Sequence, residues 1–177
     1  MIQSVRPLLD EGLVRRVGVS NYSLPAWREA ERALRAPVVA NQVAFSLART
    51  GPARDLVPYA VEHDRLVVAY SPLAQGLLAV DSDGSQVVGF RRMTRAARRR
   101  DGIAPLAEAL REIGAAHDAA PAQVALAWVL AHPNTIAIPG ARTLEQLESN
   151  AAAADIVLAD DEVTRLSGAA EAFAAGR

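Results

Sequence analysis

The sequence predicts an α/β domain in which four parallel strands alternate with helices. Four short apolar runs recur along the chain, and helical segments separate them. Continuous apolar runs are typical of strands buried on both faces, and helical crossovers between strands require parallel pairing. The length of 177 residues and the hydrophobic content of 51% suffice for one domain with its own core. We therefore predict a single domain over residues 1–177.

Each predicted element has a local signal in the sequence. The apolar runs predict strands at Val14–Val19, Val38–Val43, Arg65–Tyr70 and Thr135–Ile138. Helices are predicted at Leu24–Leu34, Asp55–His63, Pro121–Leu130 and Leu144–Ala153, and a last helix follows Asp160. Ser23 and Asp160 are predicted as amino-terminal caps, because short polar side chains accept hydrogen bonds from the first helical N–H groups. Pro25 and Pro121 are tolerated in a first helical turn, where the missing N–H has no helical partner.

The longest stretch without a regular pattern runs from Ser71 to Asp101. Within it we predict a lid-like loop over residues 77–101, because loops of that length are usually functional lids or disordered excursions. The loop carries six arginines, at Arg91, Arg92, Arg95, Arg98, Arg99 and Arg100. A solvated loop remains the alternative interpretation of this charge run.

The composition excludes several classes of function. The net charge of -1 gives no support for nucleic-acid or anionic-membrane binding. The chain has no cysteine, so disulfides and thiolate metal sites are excluded, and all 19 basic residues are arginine. Without lysine, the chain has no titrating side-chain amine and no lysine to form a Schiff base. No apolar run reaches the roughly 20 residues of a membrane span, and no signal peptide is recognisable, so we expect a cytoplasmic protein.

Polar residues cluster at the carboxyl ends of all four predicted strands. They are Ser20 and Asn21, Asn41 and Gln42, Tyr70 and Ser71, and Gly140–Arg142. In parallel α/β folds, ligands bind at that edge of the sheet. For a single amide such as Asn41 or Gln42, the satisfaction of buried backbone groups is the alternative interpretation. The agreement of four strand ends favours a binding site.

The end of the fourth strand carries the most specific of these signals. Thr143 and Gln146 form a predicted capping box, and Gly140 permits a close approach of the backbone. The first N–H groups of the following helix favour an anion, and the Arg142 guanidinium suits bidentate contact with phosphate. A well-capped helix beside a solvent-exposed arginine is the alternative interpretation.

Several motifs in order resemble the second half of an aldo-keto reductase. They are Val17–Asn21, Asn41–Val43, Ala69–Leu78 and Ile138–Thr143. The apolar helix Pro121–Leu130, with Gln123 and Trp128, is also similar to that family, and the resemblance extends from about Leu8 to Leu166. It implies half of a TIM (β/α)8 barrel, with strands that correspond to barrel strands five to eight. The chain therefore resembles a truncated or split member of the family.

The resemblance also implies that the chain binds NADP in extended form along the carboxyl edge of the sheet. The nicotinamide carboxamide would be held by Ser20, Asn21 and Gln42, and Tyr70 would stack on the nicotinamide ring. The pyrophosphate path would be lined by Ser71, Leu73, Gln75 and Gly76. The 2′-phosphate would be bound by Gly140, Ala141 and Arg142, and the adenine would lie near Gln146 and Asn150. The family's loop that corresponds to residues 77–101 folds across the cofactor phosphates.

Two departures from the family pattern concern the ends of this site. Ser149 stands where the family often has an acidic residue, which weakens the adenine end. Ala44 and Phe45 stand where related sequences often have a polar residue and a tyrosine, on the substrate side.

The family's catalytic set is absent from this sequence. Its proton donor is a tyrosine assisted by a lysine, an aspartate and a histidine, all in the first half of the barrel. We interpret His63, His117 and His132 as surface histidines, and Tyr22 and Tyr59 have no evident basic partner to lower their pKa. We therefore assign no catalytic residue and no metal ligand.

Half a barrel leaves its first and fourth strands unpaired and its inner face exposed. Two copies could pair, a separate amino-terminal half-barrel could complete the fold, or the chain folds poorly. The first hypothesis is the cofactor-binding half of an NADP-dependent oxidoreductase of the carbonyl-reducing type, inactive alone. The alternatives are a non-catalytic NADP(H)-binding or regulatory module and a structural half-barrel that self-assembles.

Overall fold

The computed structural model describes residues 2–79 and 97–175, although not the side chains of residues 3 and 97–102. Four strands are present in these ranges: β1 Val17–Ser20, β2 Val38–Ala44, β3 Leu66–Tyr70 and β4 Thr135–Ile138. The helices are α1 Arg6–Asp10, α2 Leu24–Leu34, α3 Pro52–Glu62, α4 Ala97–Ala116, α5 Pro121–Leu130, α6 Leu144–Ala152 and α7 Asp160–Ala175. Short 3₁₀ turns at Ile2–Val5, Ala74–Gly76 and Ala153–Asp155 complete the described elements.

The strands form one sheet in the order β1-β2-β3-β4, and all three pairings are parallel. Consecutive strands are therefore neighbours, which is the usual arrangement for strands joined by short helical crossovers. In the described ranges, β1 and β4 are the two edges of this sheet. The predicted four-stranded parallel α/β architecture is confirmed.

The helices cover only one face of the sheet. On the covered face, Val17, Val43, Val67 and Ala69 pack into a core with Trp27, Leu110 and Trp128. On the other face, parallel register aligns Gln42 with Val68 and Val68 with Ile136, and in the next row Tyr70 with Ile138. Ile136 and Ile138 are 45% and 44% exposed there. The exposed inner face that half a barrel predicts is therefore present, whereas the burial on both faces that the apolar runs indicate does not occur, because no described element covers the second face.

Most predicted boundaries shift by only a few residues, and each larger shift has a local cause. β1 begins at Val17 rather than Val14, because the Val14 N–H is bonded to Leu8 O (3.1 Å) in the turn after α1. α3 begins at Pro52 rather than Asp55, with proline in the first turn, where it lacks no helical bond. Asp160 is the first residue of α7 rather than its cap.

The amino terminus of α7 is held by a glutamate instead of the predicted aspartate. The Ala159 N–H donates to Glu162 Oε2 (2.8 Å), and His117 Nε2 lies 2.9 Å from the same oxygen. These two interactions hold the pKa of Glu162 below its usual value. They also fix the end of α4 against the start of α7.

The sequence prediction missed α4, and part of the predicted lid-like loop lies in this helix. Residues 97–101 are helical, and residues 80–96, with Arg91, Arg92 and Arg95, lie outside the described residues. The buried positions Ile103, Leu106, Leu110 and Ile113 have helical spacing. Pro105 and Gly102 within the same stretch conceal that pattern, since both residues disfavour a helix interior.

Two of the three histidines differ from the surface residues that the sequence predicts. His132 packs against Trp128 and Phe45, with ring centroids 4.5 and 5.0 Å away, and burial lowers its pKa. His117 is half-buried against Glu162. His63 is exposed, although its ring lies 4.1 Å from that of Tyr59. Of the helices described, none is long and apolar enough to cross a membrane.

Candidate cofactor site

A chain of hydrogen bonds links the side chains of Tyr70, Asn21 and Ser20, which follow or end β3 and β1, to the backbone of Gln42 in β2. The Tyr70 hydroxyl donates to Asn21 Oδ1 (2.9 Å), and Asn21 Nδ2 donates to Ser20 Oγ (3.1 Å). Ser20 Oγ in turn donates to the backbone oxygen of Gln42 (3.1 Å). The register explains this convergence, since Ser20 lies opposite Gln42 and Tyr70 lies one strand further along the same edge.

This arrangement leaves hydrogen-bonding capacity suited to a carboxamide. The exposed Gln42 side chain has no hydrogen-bond partner within the described ranges, and it offers both donors and an acceptor. Asn21 retains a second N–H beyond the one given to Ser20. The Tyr70 ring is half-buried, and its hydroxyl is already fixed by Asn21. A planar amide ligand beside the ring would find complementary groups here.

Asn41 has a structural role, in contrast to its neighbour Gln42. Asn41 is fully buried, and its Nδ2 donates to Tyr22 O (2.8 Å) while its Oδ1 accepts from the Tyr22 N–H (3.4 Å). The Asn41 amide therefore satisfies the backbone groups of Tyr22 after β1, so the alternative interpretation, a structural amide, holds for Asn41. Strand alternation sends Gln42 to the uncovered face instead.

The segment after β3 has an unusual backbone. Ser71, Ala74 and Gln75 have φ of 50°, 49° and 59°, and Gly76 has φ of 88°. Positive φ is unfavourable for residues other than glycine, and such residues cluster at functional sites when the surroundings enforce them. The sequence did not point to Ala74, because an alanine gives no signal of positive φ.

Two backbone donors in this segment remain available. The N–H groups of Ala74 and Gly76 are used in local turns, to Ser71 O (2.9 Å) and Leu73 O (3.0 Å). The N–H groups of Leu73 and Gln75 have no acceptor in the part of the chain that the structure describes. Leu73 and Gln75 are separated by one residue, and turns that present free N–H groups are a common means of anion binding.

The loop after β4 and the start of α6 form a second set of candidate residues. Thr143 Oγ1 caps α6 by accepting from the Gln146 N–H (3.2 Å). Gln146 Oε1 accepts from the Arg142 N–H (2.8 Å), and not from that of Thr143 as the predicted capping box requires. The predicted capping box is therefore wrong in one partner: the Gln146 side chain bonds to Arg142, one residue before the cap, and so holds the loop after β4.

Asn150 ties the same loop to α6 from the opposite end. Its Nδ2 donates to Gly140 O at 3.4 Å. The Arg142 side chain is exposed and has no acceptor among the described residues, and no atom lies within 4 Å of a Cβ built on Gly140. Glu145 in the first turn of α6 opposes an anion. The loop thus presents an open surface with one unpaired guanidinium and the first N–H groups of a nine-residue helix.

The two sets start side by side at the same edge of the sheet. Tyr70 and Ile138 are register partners, so the segment after β3 and the loop after β4 leave adjacent strands. The residues predicted for the pyrophosphate and for the 2′-phosphate thus follow neighbouring strand ends, with α6 beside them. Extended phosphate-containing ligands bind at such edges of parallel sheets.

Comparisons with known proteins identify the family of this chain. Residues 2–171 match the family model of the Aldo/keto reductase family. An uncharacterized oxidoreductase of Mycobacterium tuberculosis is 48% identical over 98% of this chain, and the match covers 54% of that protein. The methylglyoxal reductase YeaE of Escherichia coli is 33% identical over 93% of the chain and 51% of its own length.

Solved structures give the same result for the fold. An aldo/keto reductase from Klebsiella pneumoniae in complex with NADP and acetate is 33% identical, with a TM-score of 0.69 over 94% of this chain and 52% of that one. The thermostable aldo-keto reductase Tm1743, solved with the inhibitor epalrestat, gives a TM-score of 0.73 at 29% identity, over 95% of this chain and 53% of that one. The four strands and their helices match about half the length of these TIM-barrel proteins.

The chain spans about half the length of the curated relatives it matches. The family match nevertheless covers nearly all of the chain, and the four parallel strands with their helices fit the fold of that family. The chain therefore belongs to the aldo/keto reductase family of oxidoreductases.

Proposed function

We propose that this chain binds NADP(H) at the carboxyl edge of its sheet and forms the cofactor-binding half of a carbonyl-reducing oxidoreductase. The hydrogen-bond chain from Tyr70 through Asn21 and Ser20 to Gln42 is the observation that carries the proposal. It fixes the Tyr70 hydroxyl and the Asn21 amide beside the exposed Gln42 side chain, where a nicotinamide carboxamide would bind. The Klebsiella pneumoniae relative, 33% identical, was crystallised in complex with NADP, which supports the same choice of cofactor.

Different residues would contact different parts of the cofactor. The Tyr70 ring would support the nicotinamide, with Gln42 and Asn21 orienting its carboxamide. The N–H groups of Leu73 and Gln75, with Ser71 and Gly76 nearby, would face the pyrophosphate, and Arg142 with Gly140 and Ala141 would face the 2′-phosphate. Gln146 and Asn150 would lie beside the adenine. The bound cofactor supplies a hydride, and this chain binds and orients it.

The Tyr70 hydroxyl at this site donates to Asn21 (2.9 Å), and we infer that it is not the proton donor for carbonyl reduction. Tyr59 donates to Glu31 at the amino-terminal end of the sheet, and burial together with this bond raises the pKa of Tyr59 to about 12. We therefore propose that a complementary four-stranded half-barrel provides the acid and covers the exposed sheet face. Pairing of two copies is the alternative source of cover.

Titration of the isolated chain with NADPH tests the cofactor proposal. Binding would be followed by nicotinamide fluorescence and by thermal shift at high protein concentration, with NADH in parallel. We expect NADPH to raise the melting temperature, because a ligand that binds only the folded state stabilises it. The absence of both signals at saturating NADPH would refute the proposal.

A non-catalytic NADP(H)-binding module is the second candidate, favoured by the same site and by the lack of a described proton donor. The two candidates separate when the matching first half of a relative is added. Carbonyl reduction by the mixture supports the reductase, whereas cofactor binding without turnover supports the module.

A further inference from the structure

The helix that borders the proposed phosphate site is weakly anchored. None of the residues of α6 is buried, and Leu144 and Leu147 are exposed. Its neighbour α5 is among the most buried elements, with Val124–Val129 all enclosed. The position of α6 therefore depends on a small number of contacts with α5 and on the fully buried Ala153 that follows it.

Gln123 in α5 makes a specific polar contact to α6. Gln123 Nε2 donates to Ser149 O (3.1 Å), one of the last four carbonyls of α6, which have no partner within the helix. Gln123 Oε1 accepts from the Ala120 N–H (2.8 Å) at the start of α5, where the alanine side chain cannot cap. One amide thus satisfies the beginning of one helix and the end of another.

The two bonds determine which way this amide points. Its oxygen must face the Ala120 N–H, and its nitrogen must face the Ser149 carbonyl, because the reversed orientation would pair donor with donor and acceptor with acceptor. Gln123 is half-buried, so solvent is partly excluded from these groups. The α5–α6 contact is therefore directional as well as close.

The contact reaches the candidate phosphate residues in two steps. Asn150, which follows Ser149, donates to Gly140 O, and Gln146 on the preceding turn accepts from the Arg142 N–H. A displacement of the end of α6 would move both of these side chains and the loop that they hold. The two side-chain hydrogen bonds of Gln123 go to Ala120 and Ser149, so its effect on the Gly140–Arg142 loop passes through α6.

We infer that Gln123 is a positioning residue for the 2′-phosphate end of the site: it holds α6 so that the Gly140–Arg142 loop keeps its binding conformation. This inference rests on the proposed function, since it names a determinant of affinity for the phosphorylated cofactor. It predicts a role in the preference for NADPH over NADH, which lacks the 2′-phosphate. A purely structural glutamine would affect both cofactors alike.

The test variant is Gln123→Glu, which keeps the acceptor for the Ala120 N–H and loses the donor to Ser149. The matched control is Ser167→Ala, which removes the bond from Trp128 Nε1 (3.0 Å) and so loosens α5 from α7 but not from α6. We expect Gln123→Glu to weaken NADPH binding about three- to tenfold, the range of one hydrogen bond. NADH affinity should change less than twofold, and the control should alter neither.

Hydrogen exchange gives a readout that needs no cofactor. We expect faster amide exchange across residues 140–150 in Gln123→Glu, and no change there in Ser167→Ala. Unchanged exchange in this segment, or an equal loss of NADPH and NADH affinity, would overturn the inference. A wild-type chain that binds neither nucleotide would refute the proposed function, and the exchange data would still decide whether Gln123 positions the loop.

Discussion

Glu31 accepts hydrogen bonds from three donors at the amino-terminal end of the sheet. The donors are the Tyr59 hydroxyl, Arg65 Nε (2.8 Å) and the Val38 N–H (3.0 Å). Burial acts to raise the pKa of Glu31, but these bonds and the Arg65 charge outweigh it and hold the pKa below its usual value. The cluster lies at the end of the sheet opposite the candidate site, where polar networks serve stability.

Replacement of this carboxylate should therefore destabilise the fold. We expect Glu31→Gln to lower the free energy of unfolding at pH 7 by about 2 kcal/mol, the scale of hydrogen bonds to a charged group. A carboxyl whose folded pKa is depressed stabilises the protein above its unfolded pKa, and this contribution disappears as the pH falls through the folded value. Urea unfolding at pH 7 and pH 4 should thus show a smaller difference between wild type and variant at the lower pH.

Glu29 offers a matched control on the same helix. It pairs with Arg32 at 2.7 Å, but its side chain is 63% exposed, whereas that of Glu31 is 16% exposed. Exposed pairs contribute little, so Glu29→Gln should change the stability by less than about 0.5 kcal/mol. An equal effect of the two variants would contradict the assigned role of Glu31.

Glu145 provides a second test at the residue scale, within the proposed phosphate site. It is an acidic residue in the first turn of α6, where it opposes a bound phosphate. We expect Glu145→Gln to tighten NADPH binding about two- to fivefold at low salt, with a smaller gain at high salt. Glu148→Gln, one turn further along the helix, should have a weaker effect. Equal gains from both variants, or a gain for NADH as large as for NADPH, would contradict a phosphate at this helix terminus.

The sequence predicted which strand ends carry polar groups, but not the partner of each group. Asn41 and Gln42 are adjacent amides, and only their opposite orientations on the strand separate the buried one from the exposed one. The reach of Gln146 to Arg142, rather than to Thr143, depends on the conformation of a loop whose sequence leaves it open. Local patterns therefore predict candidates, and tertiary geometry assigns their contacts.

At the scale of the elements, the end of α4 depends on a glycine that helix propensity alone would disfavour. The chain turns back over Gly114, whose carbonyl accepts from Ala119 N (2.8 Å) and His117 N (3.2 Å). A Cβ built at Gly114 would lie 2.5 Å from Ala119 O, a backbone atom that cannot move aside cheaply. At Gly168 in α7, by contrast, a Cβ would have no neighbouring atom within 4 Å.

Gly→Ala substitutions at these two helical sites should therefore have opposite signs. We expect Gly114→Ala to destabilise the protein by about 1–3 kcal/mol, because the clash exceeds the gain in helix propensity. We expect Gly168→Ala to stabilise it by up to about 1 kcal/mol, because alanine restricts the unfolded chain and favours the helix. Thermal and urea unfolding would measure the stability of both variants. A stabilising Gly114→Ala would contradict the close approach of Gly114 to Ala119 O.

Elements with strong local signals agreed with the sequence prediction. β4 and α5 match residue for residue, because turn residues and proline set their ends. The boundaries that failed depend on partners distant in sequence. Val14 lies outside β1 because its N–H donates to Leu8 O. Helix α4 is recognisable only from the core in which Ile103 and Leu110 are buried.

At the scale of the whole molecule, the sheet has one covered and one exposed face. The apolar runs and helical crossovers correctly predicted parallel strands, and the resemblance to the aldo-keto reductase family implied half of a barrel with open edges. The sequence alone could not show which strand residues would be exposed to solvent, since a strand buried on both faces and a strand with one uncovered face have the same apolar composition. In β4 the covered positions are Thr135 and Ala137, while the larger Ile136 and Ile138 face the opposite side.

This exposed face should make the isolated chain self-associate. Apolar surface beside an unpaired strand edge promotes contact between molecules, and β4 combines both features. We expect sedimentation velocity to show concentration-dependent assembly of the wild-type chain, and Ile136→Thr/Ile138→Thr to reduce it. Val157→Thr is the control, because Val157 is 83% exposed but lies outside the sheet. If assembly responded to Val157→Thr and not to the double variant, the self-associating surface would lie outside the exposed face of the sheet. The proposal that a half-barrel partner covers this face would then lose its physical basis.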